Sequence, residues 1–140
     1  MGQYYAIASA YQKISKKWWK ESLFKYDPYI SQAVIDEIKK GDEKAAQKRL
    51  NAVENIGIAD ISMETYQLST KYFEILDVPE KARLDTLHIA CAVLNEIDYI
   101  LSWNFKHIAN VRTREKISSF NAIRGFKNPM ICTPEELENG

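Results

Sequence analysis

Apolar positions along this chain fall into two kinds of pattern, helical stripes and short unbroken runs. Over residues 3–25, which contain no proline, Tyr4, Ile7, Tyr11, Ile14 and Trp18 recur at spacings of three and four, the period of one helical face, so a first helix is expected there. Asp27-Pro28 ends that stretch, and Tyr29-Ile30 reads as a short buried strand. Ser31 is placed to cap a helix carrying Val34, Ile35 and Ile38 that stops near Gly41. Another helix is expected over 43–54, then a strand over 57–61, then a helix capped by Ser62 that runs to about Leu76. Val78-Pro79 interrupts the pattern, and 82–96 reads as a largely buried helix whose apolar side includes Leu84, Leu87, Ala90, Cys91 and Leu94. Asp98-Tyr99-Ile100-Leu101 is a strand, 113–124 a helix with Thr113 as cap and Gly125 as its left-handed stop, and Met130-Ile131-Cys132 a last strand before Pro134.

Short apolar strands alternating with helices predict an α/β layer on a small parallel sheet. A length of 140 residues fits one domain with one core. Nineteen basic residues balance nineteen acidic ones, so no global field draws the chain to nucleic acid or to an anionic membrane, and any such contact needs a local patch. One local patch is legible: Lys13, Lys16, Lys17 and Lys20 share a face of the expected first helix and could meet phosphates, unless they are only its solvated side. No apolar run approaches the roughly 20 residues that span a bilayer, and no basic-then-apolar leader opens the sequence, so a cytoplasmic protein is expected. Cys91 and Cys132 sit inside apolar runs without metal-type spacing and read as small hydrophobes.

Three polar positions stand at element boundaries beside apolar sequence: Glu37, Asp85 and Asn104. Asp85 opens an otherwise apolar helix, where a carboxylate is either functional or simply stabilised by the helix amides, an effect of about 0.5–1 kcal/mol. Asn104 follows the strand 98–101, on the side where ligands gather in open parallel sheets, or else is a turn residue. His88 and His107 read first as structural histidines.

Ser31-x-x-Val34-x-x-Glu37-Ile38 with Gly41-Asp42, Leu84-Asp85-Thr86-Leu87-His88-Ile89-Ala90, the block from Asp98 to Asn110 containing Trp103-Asn104 and His107-Ile108, and Cys132-Thr133-Pro134-Glu135-Glu136-Leu137 together resemble a PIN domain. The subgroup they resemble is the VapC-like toxins of type II toxin-antitoxin pairs. The resemblance implies a PIN-like three-layer fold, with a small parallel sheet flanked by helices, and a cluster of acidic side chains that holds Mg²⁺ or Mn²⁺ and cleaves RNA. Carried onto this chain, Glu37 and Asp85 are the expected metal ligands, and Asn104 assists them in catalysis. Lys13, Lys17, Lys20, Arg112 and Arg114 are the expected contacts to the RNA backbone. An antitoxin-like partner and a homodimer belong to the same expectation.

The family's first acid follows a short apolar strand near the chain start, in a pattern of an apolar residue, Asp or Glu, Thr and Ser. Nothing in this sequence matches it, and no acidic residue precedes Glu21. The domain is therefore expected to be N-terminally truncated, with its first strand and first metal ligand missing. Three explanations stand: a longer natural chain, a second chain covering the gap, or a sheet closed over it. The rival to a ribonuclease is a non-catalytic module that keeps the PIN-like shape in order to bind an antitoxin-like partner or itself.

Overall fold

A computed structural model describes residues 4–7, 27–32, 35–36, 39–40, 42–53, 57–101 and 110–132. Five strands form one sheet: β1 (Tyr4–Ile7), β2 (Asp27–Ser31), β3 (Gly57–Ala59), β4 (Tyr99–Leu101) and β5 (Met130–Cys132). Their order is β3-β2-β1-β4-β5 and every pairing is parallel. Helices α1 (Glu43–Val53), α2 (Met63–Leu76), α3 (Arg83–Leu94) and α4 (Val111–Arg124) supply the connections, with a 3₁₀ turn at Glu80–Ala82 leading into α3. Among the described residues no helix is long and apolar enough to cross a membrane.

The α/β class with a small parallel sheet flanked by helices is as expected; the chain start is not. Tyr4–Ile7 is a strand, not the beginning of a helix, and it occupies the centre of the sheet, pairing Tyr4 with Asp27 and Ile7 with Ile30 on one side and Tyr5 with Tyr99 and Ile7 with Leu101 on the other. The truncation inferred from residues 3–25 is thereby corrected: a strand stands where the gap was expected. Central strands of parallel sheets commonly read as continuous apolar runs, as Tyr-Tyr-Ala-Ile does. The rest of that expected helix lies outside the described residues.

Smaller differences have local causes. Pro28 lies within β2 instead of before it; β3 begins opposite Tyr29, so Pro28 has a strand on the β1 side alone and its missing N–H costs no bond toward β3. Ser31 closes β2 as a buried residue, and Gln32 is already helical, its side-chain Nε2 donating to Asp36 Oδ1 at 2.9 Å. The cap of α4 is Asn110, whose side chain accepts from the Thr113 amide at 2.9 Å, three residues before the expected start. Leu84, placed on the buried side of α3 by its spacing, is 36% exposed. Ser62 caps α2 as expected: its hydroxyl accepts from the Thr65 amide at 3.3 Å while Thr65 Oγ1 accepts from the Ser62 amide at 3.0 Å. Gly125 ends α4 at φ 75°, a backbone conformation that glycine adopts without steric cost.

The core lies where α2, α3 and α4 meet β4 and β5, and includes Leu68, Tyr72, Leu76, Ile89, Val93, Ile97, Ile100, Ile117 and Ile131. Helices α2 and α3 form an antiparallel pair tied at both ends: Ser69 Oγ and Thr86 Oγ1 are 3.1 Å apart, the Arg83 guanidinium lies 4.0 Å over the Phe73 ring, and Asn95 Nδ2 and Cys91 Sγ both reach the Asp60 carbonyl. One polar chain crosses the core. The Tyr72 hydroxyl, on a fully buried side chain, donates to Asn121 Oδ1 at 2.5 Å, and Asn121 Nδ2 donates to Asn128 Oδ1 at 2.9 Å. Burial holds the Tyr72 phenol well above its ordinary titration range, so it stays a donor. Tyr72 also meets Phe120 edge to face, ring centres 5.5 Å apart.

Removing that hydroxyl leaves Asn121 with an unfilled acceptor in a dry site. Tyr72→Phe is expected to cost about 1–3 kcal/mol in urea unfolding. Ile123→Ala, at a position 84% exposed, is expected to stay within about 0.5 kcal/mol of the parent.

Candidate functional site

The strand order sets where a ligand would be sought. From β1 the chain builds outward through β2 and β3, then returns across the sheet to add β4 on the other side of β1. The order therefore reverses between β1 and β4, and in open parallel sheets ligands collect in the crevice beyond the carboxyl ends of the strands at such a reversal. The two strands that flank this point end at Ile7 and Leu101. In sequence, Ile7 is followed by Ala8-Ser9-Ala10 and Leu101 by Ser102-Trp103-Asn104.

Of the expected site residues, Asp85, Arg112 and Arg114 are described; Glu37, Asn104, Lys13, Lys17 and Lys20 lie outside the described residues, as does His107. Asp85 sits in the first turn of α3 and is half-buried. The N-cap of α3 is Ala82, which has no side-chain group for the first-turn amides, so a carboxylate at Asp85 is electrostatically well placed at this helix end. Its neighbour Thr86 is fully buried, with its hydroxyl donating to the Arg83 carbonyl at 2.6 Å. The structure thus fixes Asp85 on a rigid helix start, while Glu37 and Asn104 lie outside the described residues. Among the described residues no three His, Cys, Asp or Glu side chains converge as metal ligands would.

Arg112 is exposed on the first turn of α4, whereas Arg114 is half-buried with its Nε shielded from solvent. Lys116 is exposed one helical turn beyond Arg112, so Arg112 and Lys116, more than Arg112 and Arg114, share an accessible basic face. That pairing was readable from the spacing of four once the helix was placed.

His88, one turn after Asp85, is buried, and desolvation pushes its imidazole down to about 4. It is neutral in the folded protein at physiological pH. Cys91, also buried, donates its thiol to the Asp60 carbonyl at 3.5 Å, and burial raises its titration to about 11. Both cysteines are buried, in keeping with their reading as small hydrophobes.

A second concave feature was not legible in the sequence. A cavity of about 510 Å³ is lined by Tyr29, Ile58, Ala59 and Asp60 on the β2–β3 side and by Asn95, Glu96, Ile97, Asp98 and Lys127 on the other. Its residues come from segments far apart in the chain, which no local motif links.

No known family's sequence profile matches the chain, and no curated protein matches it. Among solved structures, it is similar to a chain of the crystal structure of VapBC2 from Rickettsia felis bound to a DNA fragment from their promoter, at a TM-score of 0.60 and 12% sequence identity, over 94% of this chain and 98% of that one. At this identity the likeness is one of fold, and it extends over nearly the whole of both chains.

The burial of His88 gives a pH signature. The unfolded chain takes up this proton near the ordinary value of 6.5 and the native chain only near 4, so native stability falls as pH drops through that interval. The His88 contribution to the fall is on the order of 3 kcal/mol, and urea titrations between pH 7 and pH 4 are expected to show a shallower loss for His88→Gln than for the parent.

Proposed function

We propose that this chain is the toxin-type half of a toxin-antitoxin-like pair, a PIN-like domain that acts by binding, with its phosphodiester chemistry reduced or lost. The observation that carries this reading is the place of β1. The strand that ends in the family's first acid was expected to be missing; the strand is present at the centre of the sheet, and it is the acid that is lacking. Where the family pattern is an apolar residue, Asp or Glu, Thr and Ser, this chain has Ile7-Ala8-Ser9-Ala10. The fold shared with a chain of a toxin-antitoxin complex supports an antitoxin-like protein as partner; pairing with a second copy, and RNA as the polyanion that Lys13, Lys17, Lys20, Arg112 and Arg114 would meet, belong to the same proposal.

Ala8 also decides the fit of a metal. Mg²⁺ and Mn²⁺ are hard cations held by oxygen donors, and their affinity follows the number of converging carboxylates. Glu37 and Asp85 bring two carboxylates and Asn104 is neutral, while Ala8, which follows β1 in sequence, adds no donor. The residues present do not fit a tightly bound divalent ion.

The second reading, a metal-dependent endoribonuclease with Glu37 and Asp85 as ligands and Asn104 assisting, is favoured by the half-buried carboxylate of Asp85 at the start of α3. Cleavage of a mixed single-stranded RNA set in Mg²⁺, Mn²⁺ or EDTA separates the two. The binding reading expects no metal-dependent cutting by the parent, and cutting that EDTA abolishes on Ala8→Asp but not on Ala8→Asn. Cutting by the parent that Asp85→Asn abolishes, with the melting temperature unchanged, would establish the ribonuclease instead.

A further inference from the structure

The cavity beside β3 lies at an open sheet edge. β3 is an outer strand that pairs with β2 alone among the described strands, and Ile58, at its middle, is 55% exposed. The cavity is apolar at its base, where Ala59 and Ile97 are buried, and acidic at its rim. Asp60, Glu96 and Asp98 face one cation, Lys127, and that ammonium is already ion-paired with Asp98. Among the described residues no lysine or arginine forms an ion pair with Asp60 or Glu96.

The aromatic wall is held by a close approach. A Cβ added at Gly57 would stand 2.8 Å from Tyr29 Cε1 and 2.9 Å from Cδ1, so only glycine lets the Tyr29 ring lie against β3 at this point. A tyrosine ring beside two carboxylates that have no ion pair among the described residues suits a guanidinium or ammonium group and disfavours an anion. An open strand edge beside it suits an extended backbone, which can add to the sheet while alternate side chains enter the cavity. An edge this short offers few backbone bonds, so the charged side chain would supply the selectivity.

We propose that this cleft seats an extended segment of the chain's protein partner, with a lysine or arginine side chain placed between Asp60 and Glu96 against Tyr29. The inference deepens the partner reading above and assigns it a surface; the segment is basic, and the contact weakens with salt.

The test uses the whole chain and the labelled peptide acetyl-Val-Thr-Arg-Thr-Val-amide, with its Arg-to-Glu counterpart and arginine amide as controls. Binding is followed by fluorescence anisotropy and by the amide shifts of Ile58, Glu96 and Ile97. Expected are saturable binding of the arginine peptide with shifts at those amides, no binding of the glutamate peptide, weaker binding of arginine amide, and a loss of roughly fivefold to tenfold in Asp60→Asn/Glu96→Gln. Asp60 and Glu96 are both exposed, so that variant is expected to keep the parent's melting temperature. No binding of the arginine peptide at millimolar concentration, equal binding of the glutamate peptide, or a double variant that binds like the parent would overturn the proposal. Arginine amide binding as tightly as the peptide would also overturn it, because the site would then hold a free cation and not a segment. The probe involves neither RNA nor metal, so failure here leaves the cleavage result standing, and the reverse also holds.

Discussion

The structure depends on the pairing of Tyr4–Ile7 on both sides. Without β1, β2 and β3 would be one two-stranded ribbon and β4 and β5 another, and two-stranded units are at best marginally stable in water. With it, the backbone of four residues joins both halves into one parallel sheet, and the helical pair α2–α3 then has a surface on which Ile89, Val93, Ile97 and Ile100 can be buried. The same strand defines the reversal of strand order. Its sequence therefore bears on the fold and on the proposed function at once: Tyr-Tyr-Ala-Ile forms the central strand, and an alanine follows it.

Much of this fold was legible. The caps at Ser62 and Gly125, the breaker at Val78-Pro79, the buried periodicity of α3 and the strands at 99–101 and 130–132 were all specified by local chemistry that the tertiary structure does not override. β1 was not legible, because Tyr-Tyr-Ala-Ile has no alternation, and Tyr4 and Ile7 fall three apart as they would on a helix. Pro28 misled in a related way: a proline reads as a boundary, but at a position opposite β1 and short of β3 a strand tolerates it. Leu84 shows the limit of periodicity near a helix start, where α3 leaves the 3₁₀ turn and its first turn is still partly open to solvent.

The candidate sites divide along the same line. Asp85 could be found from sequence because a lone carboxylate in an apolar helix stands out, and Ala8 could be interpreted only after β1 was placed. The acidic cleft could not be found at all, since Tyr29, Asp60, Glu96 and Lys127 are assembled by the packing of β3, the α3–β4 turn and the segment after α4. What unites them is that each depends on residues brought together by the sheet and its connections and not by one stretch of sequence.

The most direct measurement is amide hydrogen exchange on Tyr5, Ala6 and Ile7. If these residues form the central strand, their hydrogen-bonded amides exchange only through global unfolding, at the same rate as the most protected amides of β4. Exchange orders of magnitude faster than that of β4, as from a fraying amino-terminal helix, would contradict the account, and with it the assignment of Ala8 to the missing carboxylate.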